Sequence, residues 1–216
     1  MDDENDGPLL AFNGKSFNFT ARVACNDCNN GWMSALETAA LPILSPMIQE
    51  RPAELAAEDL ETVVTWAVKT AIVFSQTGNQ RDGISAEQGR WVYDHQTPPP
   101  NTMAWLGRYR GSTSPAHACK IQNRHLTLSR PSRPAELYSA YDWTASIGAL
   151  LIKVLLTPPA FWEERMTTRP TTELPLLAAW PAPAEPLQWP PDMAFEEDGL
   201  RFLTWGAPNR NSLHND

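Results

Sequence analysis

The readable part of the chain opens on an alternation. Phe17-Asn18-Phe19-Thr20-Ala21-Arg22-Val23 switches between apolar and polar with a period of two and predicts a strand running into Cys25. Past Cys28 the period becomes helical. Ser34 and Glu37 stand at capping-box spacing, and Leu36, Ala39, Ala40 and Ile43 follow at helical intervals. Pro42 and Pro46 are expected to limit that helix to a few turns or to kink it, since neither has an N–H to donate.

The clearest pattern lies at about residues 53 to 75. Leu60, Val63, Val64, Ala67, Val68, Ala71 and Ile72 recur at i, i+3, i+4 and i+7, the stripe of a core-facing helix. Glu54, Glu58 and Asp59 near its start complement the helix dipole, and Gly78 is expected to stop it. A shorter helix is predicted from Ser85 through His95, ended by Pro98-Pro99-Pro100.

From Thr102 to about Leu156 the balance tips toward strands. Met103 to Leu106 and Cys119 to Leu128 read as two of them, with Gly111 to Pro115 as a turn between. Tyr138 to Trp143 and Ile147 to Leu156 read as two more. The last run fits a buried helix as well, because Ile147, Leu150, Leu151, Val154 and Leu155 match that template too. Seven prolines between residues 170 and 191 exclude regular helix and predict an extended strap carrying Trp180 and Trp189 over the surface. Ala194 to Trp205 is expected to return as a short helix or strand, and Asn209 to Asp216 to fray. The expected class is α+β, with a mainly antiparallel β region and a proline-rich C-terminal wrap.

Composition narrows the function. The chain has 216 residues, enough for one sizeable domain or two small ones. Lys+Arg 17 against Asp+Glu 25 gives a net charge of −8, which argues against a surface built throughout as a glove for nucleic acid. Three cysteines, an odd number, do not suit a secreted disulfide scaffold. Met1 to Asp6 is acidic, with no basic or apolar targeting signal. The longest apolar run, Ala145 to Leu156, is about two-thirds of a membrane span and contains Lys153. A soluble, cytoplasmic protein with no membrane partner is expected.

One segment carries chemistry: Cys25-Asn26-Asp27-Cys28-Asn29-Asn30-Gly31-Trp32-Met33. Two cysteines on a tight turn can each supply a thiolate to one metal ion, in the geometry of a zinc knuckle. Zinc takes four ligands and this pair supplies two, so a knuckle packed without metal is an equal reading. His117 and Cys119, spaced to share one strand face, are a possible second pair, with His125 and His214 also available. The plainer reading is Cys119 as a small buried hydrophobe and the histidines as ordinary surface residues.

The run Val23-Ala24-Cys25-Asn26-Asp27-Cys28-Asn29-Asn30-Gly31-Trp32-Met33-Ser34-Ala35-Leu36-Glu37 closely resembles the second half of an HNH endonuclease domain of bacterial and phage type. In that variety, C-x-x-C-N-N-G-W-M-S-x-L-E closes a zinc-stabilised ββα fold. Trp66 to Ala71 and Trp105-Leu106-Gly107 continue the likeness loosely. The resemblance implies that Cys25 and Cys28 are the second pair of a structural zinc site. It makes Asn29 the candidate catalytic residue, a divalent cation the cofactor of hydrolysis, and DNA the substrate. It makes 17–41 the remnant of a ββα knuckle; the residue pattern sets beside it an acidic flexible lead-in at 1–16, a helical then β-rich domain at 42–169, and the proline-rich wrap and tail at 170–216.

The resemblance further implies a first C-x-x-C and a catalytic His in an Asp/Glu-His-x-x-Pro setting upstream. No Cys or His precedes Cys25, and the first His is His95. A His acts as general base in this chemistry, while a divalent ion stabilises the scissile phosphate. The expectation is therefore an HNH relative that is catalytically incomplete in this chain. The alternative is a non-catalytic DNA-binding or phage accessory interaction protein.

Charge supplies the last candidates. Between His95 and Ala135 there is no acidic residue, whereas Arg108, Arg110, Lys120, Arg124, Arg130 and Arg133 all fall there. Arg108, Arg110, Lys120 and Arg124 are the candidate nucleic-acid contacts, since neutralising phosphates releases counterions. The competing reading is a solvated sheet face whose acidic partners come from the helices.

Overall fold

The computed structural model describes residues 11–12, 24–76, 84–111, 117–130, 133–157, 175–196 and 199, with backbone alone for 11–12, 117–130 and 133–139. The fold is α+β. A short turn α1 (Asn26–Cys28) passes through a π turn at Asn29–Met33 into α2 (Ser34–Ile48). Next come β2 (Ala53–Leu55), α3 (Ala57–Ser75) and α4 (Ala86–His95). Strands β3 (Thr102–Tyr109), β4 (His117–Arg130), β5 (Arg133–Ile147) and β6 (Leu150–Leu156) follow. β7 (Leu176–Trp180), β8 (Leu187–Trp189) and β9 (Ala194–Phe195) complete the described strands, with β1 (Ala11–Phe12) at the other end of the chain.

The main sheet has the order β1-β4-β5-β6-β3-β7, and β9 pairs in parallel with the end of β3. The other pairings are antiparallel. Register explains how the helices find one face. Ala104 opposes Val154 and Leu106 opposes Ile152, while Trp143 and Ala145 oppose the same two β6 residues from the far side. All six are fully or almost fully buried, in one core cluster with Val63, Val64, Ala67 and Val68 of α3. Tyr141 joins the layers directly by donating its hydroxyl to the Ala71 carbonyl at 3.3 Å.

The predicted stripe of α3 is the stripe that packs. Val64 and Val68 are 0% exposed, while Trp66 and Ile72 lie half-buried against the same core. The helix starts at residue 57 rather than 53, because Ala53, Glu54 and Leu55 pair with Trp189, Gln188 and Leu187. α4 begins as expected: the Ser85 hydroxyl accepts from the Gln88 N–H, and Gln88 returns a bond to the Ser85 N–H. It ends at Gln96, in the left-handed conformation at φ 54°.

Two expectations need correction. Ser34 is not a cap, because the chain is already helical at Asn26 and Cys25 caps the start. Pro42 and Pro46 stand inside α2, which runs about four turns to Ile48 while Ala40, Leu44 and Met47 hold it to the core. The strap is extended but does not lie over the surface. Its described prolines, from Pro175 to Pro191, fall outside the paired stretches, leaving β7 to join β3 and β8 to join β2, with Ala179 and Trp189 in the core.

The helix-or-strand ambiguity at 147–156 resolves to strand. Gly148, at φ 55°, turns the chain between β5 and β6, and its tip is tied to α2. Ala149 donates its N–H to the Ile48 carbonyl at 2.9 Å, and a Cβ at Gly148 would lie 2.5 Å from that oxygen. The predicted strand at 17–23, the turn at 112–115 and the tail at 209–216 lie outside the described residues.

Candidate functional site

The cysteine motif occupies a helix start, and its local sequence explains why. Cys25 is extended at φ −66°, ψ 159°, and the chain turns helical at Asn26. The Cys25 sulfur then accepts the Cys28 backbone N–H at 3.2 Å, in the position where a Ser or Asp oxygen would cap. The Asn29 N–H donates to the Cys25 carbonyl at 3.0 Å, and the Asn30 amide donates to Asn26 Oδ1 at 2.8 Å. Gly31, at φ −92° and ψ −114°, breaks the helical geometry and re-phases the chain into α2.

That change of phase turns the motif two ways. Cys25 and Asn29 are exposed and Cys28 is partly so, whereas Met33 is buried and Trp32 packs against the core. Trp32 also meets the ring of Tyr93 on α4 edge-on, at 6.4 Å. The turn is thus pinned from beneath, with its sulfurs toward solvent.

Electrostatics separates the two thiols. The Cys28 thiol, then the Cys28 backbone N–H, hold Cys25 below its ordinary pKa. Contact with Cys25 and loss of water push Cys28 above its own, and Trp32 pulls against that shift. One thiol is thereby prepared to ionise first, as a metal ligand or a nucleophile must.

Both cysteines are free thiols. Both cysteines stand on one capped turn, so they are the two residues there that could supply thiolates to a zinc ion. Among the described residues no group of three or more His, Cys, Asp or Glu is placed to hold a metal. His117, Cys119 and His125 lie on β4, where Cys119 pairs with Ala145.

An ion pair with one buried and one exposed partner joins α2 to α3. Lys69 on α3 has a side chain only 7% exposed and reaches Glu37 on α2 at 2.6 Å. Sequence pattern alone does not single this pair out. The signal available is a lone Lys inside the apolar stripe of α3, with an acid in the first turn of the preceding helix.

The candidate phosphate contacts fall into two sets. Arg108 has its side chain 14% exposed and is held by Glu50 through Nε at 2.6 Å and through Nη2. Its Nη1 also donates to the Pro191 and Asp192 carbonyls, at 3.3 and 3.4 Å. Arg110 is half-exposed and shares Glu50, with Nε at 2.8 Å. Lys120 and Arg124 are placed by backbone register, opposite Thr144 and Ala140. A cleft of about 430 Å³ opens between α2 and α3, but Glu58 and Glu61 on its wall disfavour a phosphate there.

Compared with known proteins, the chain matches no family model, no curated protein and no solved structure. Among the described residues no helix is long and apolar enough to cross a membrane.

Proposed function

We propose that this chain carries the closing half of an HNH-type nuclease domain and works on DNA in the cytoplasm. In this reading Cys25 and Cys28 supply two of the four ligands of a structural zinc ion. The observation that supports it most is the Cys25 sulfur accepting the Cys28 N–H at a helix start. The pair sits on the surface of a turn anchored by Trp32 and Met33. A bound zinc would fix the turn and neutralise both thiolates.

Hydrolysis needs a base, and Asn29 cannot act as one: a neutral amide does not take a proton from water near pH 7. Its exposed place at the turn suits a hydrogen-bonding role toward a phosphate or a metal-bound water. The chain by itself is therefore inactive, and cleavage requires a His-bearing C-x-x-C segment that the sequence before Cys25 does not contain.

The experiment is a supercoiled-plasmid nicking assay with magnesium, manganese, nickel or zinc. It is run with the chain alone, and with a segment carrying C-x-x-C and E-H-x-x-P fused ahead of it. Inactivity alone and cleavage after fusion, lost again in Asn29→Ala, is the expected result. Robust cleavage by the chain alone would overturn it, with His95, His117 and His125 the first suspects as base. DNA binding without cleavage in both forms would favour a non-catalytic DNA-binding protein.

A further inference from the structure

Cys25 and Cys28 make up half of a tetrahedral donor set, and the surface around them is open to the other half. Zinc held by thiolates alone takes four of them. The two cysteines stand on one capped turn, Cys25 exposed and Cys28 partly so. Among the described residues no third His, Cys, Asp or Glu joins them in a group that could hold a metal. The deficit is two thiolates and the turn carries two, so one more copy of the same turn closes the set.

The turn suits such an approach. Its other residues from Asn26 to Gly31 are short and, like Cys25, exposed. Apart from the turn itself, nothing lies within 4 Å of where a side chain at Gly31 would begin. No Lys or Arg occurs between Arg22 and Arg51, so the turn and α2 bring no cation of their own to the thiolates. Trp32 and Met33 hold the turn to the core from beneath. Beside it Tyr93 is 54% exposed, its ring edge-on to Trp32 at 6.4 Å, an apolar surface for a second copy to cover. Two identical pairs meeting at one ion are related by a two-fold axis through it, the commonest symmetry of soluble homo-oligomers and one that closes at two copies. The opposing effect is the approach of two Asp27 carboxylates. Both are exposed, and physiological salt screens their repulsion beyond about 8 Å.

We propose that a second copy of this chain completes the metal site, with Cys25 and Cys28 of each copy holding one zinc ion between them and linking a dimer through it. The inference rests on the reading of the pair as metal ligands. It adds where the other two ligands come from when no further C-x-x-C segment precedes the motif.

The test uses the full chain, stripped of metal under reducing conditions, with mass read by sedimentation as Zn²⁺ or Co²⁺ is added. A monomer is expected without metal and a dimer with it, saturating at about one ion per two chains. Bound Co²⁺ should show the absorption of tetrahedral coordination by four sulfurs. Cys25→Ser and Cys28→Ser should each abolish the dimer with the unfolding transition unchanged, and Cys119→Ser should keep it. Saturation at one ion per chain with the mass of a monomer overturns the inference while leaving both cysteines as ligands. A dimer equally strong without metal, or one that survives Cys28→Ser, overturns it as well. Failure to bind either ion overturns the metal reading itself, and this inference with it.

Discussion

Glu50 and Arg108 lock the end of α2 to the end of β3. Glu50 sits just past the helix with φ 57°, and its Oε1 accepts from Arg108 Nε at 2.6 Å. Arg110, two residues on, reaches the same oxygen. One carboxylate thereby gathers the first two basic residues of the acid-free segment.

This contact makes stability depend on pH. The Arg110 and Arg108 guanidiniums hold the Glu50 carboxyl below the usual carboxylate range. A pKa depressed in the folded state contributes stability that is fully present above the unfolded value. It is lost as pH falls through that value toward the folded one. Glu50→Gln should therefore cost about 2 kcal/mol at pH 7. It should also flatten the acid limb of a plot of urea-unfolding free energy against pH. An unchanged acid limb would mean that Glu50 carries none of it.

The same pair bears on DNA. If the acid-free segment contacts phosphates, Glu50 competes for two of its guanidiniums. Glu50→Gln should then tighten duplex retardation at low salt, whereas Arg124→Ala should reduce the salt slope by ~0.9 for each phosphate no longer neutralised. Arg108→Ala should weaken binding and also lower the melting temperature, since Arg108 ties Glu50 to the Pro191 and Asp192 carbonyls. Failure to retard duplex or single-stranded DNA at low salt would remove DNA as a partner.

Lys69 and Glu37 offer an asymmetric mutational pair. Glu37→Ala removes the counter-charge of a nearly buried Lys side chain, but Glu37 is itself 61% exposed and solvent screens the pair, so the cost should be about 1 kcal/mol. Lys69→Met removes the charge and keeps most of the volume, so it should cost clearly less. Equal losses in chemical denaturation would refute the account.

Val68 tests the phase of α3. It is 0% exposed in the core, and Val68→Asp would bury an unpaired carboxylate there, costing on the order of 4 kcal/mol. Glu58→Gln, on the exposed side of the same helix, should be close to neutral. A tolerated Val68→Asp would place the packing face elsewhere.

Zinc content gives the last prediction. Two thiolates from one chain leave two positions to be filled from outside it, so purified protein should hold less than one zinc per chain. A chelator should remove that zinc without shifting the main unfolding transition, whose core lies in α3 and the sheet. Cys25→Ser should abolish the zinc signal. A stoichiometric, chelator-resistant zinc would require two further ligands from this chain.

The elements legible in the sequence are those whose signal is local. α3 can be read because one face repeats at helical spacing with a polar opposite face, and α4 because Ser85 and Gln88 form a reciprocal cap. β6 cannot be read the same way. Leu150 and Leu151 are adjacent and both 0% exposed, so burial on both sides of the sheet erases the alternation that marks a strand. The Ser34-Glu37 spacing misleads because the helix begins at Cys25, where sulfur takes the capping place usually held by oxygen. Within the site, the cysteine pair is visible as a motif, but the Trp32–Tyr93 contact and the Lys69–Glu37 pair depend on how distant elements pack. No spacing rule encodes them.

The tip of a β-hairpin is ordinarily the safest place to lengthen a chain, because nothing leans on it. Here the β5–β6 tip is wedged beneath the last turn of α2, with Ala149 bonded to Ile48 and no room for even a methyl group at Gly148. An epitope or reporter grafted there would have to prise a helix from a sheet. Anyone choosing a permissive splice point in this protein should pass over this hairpin tip.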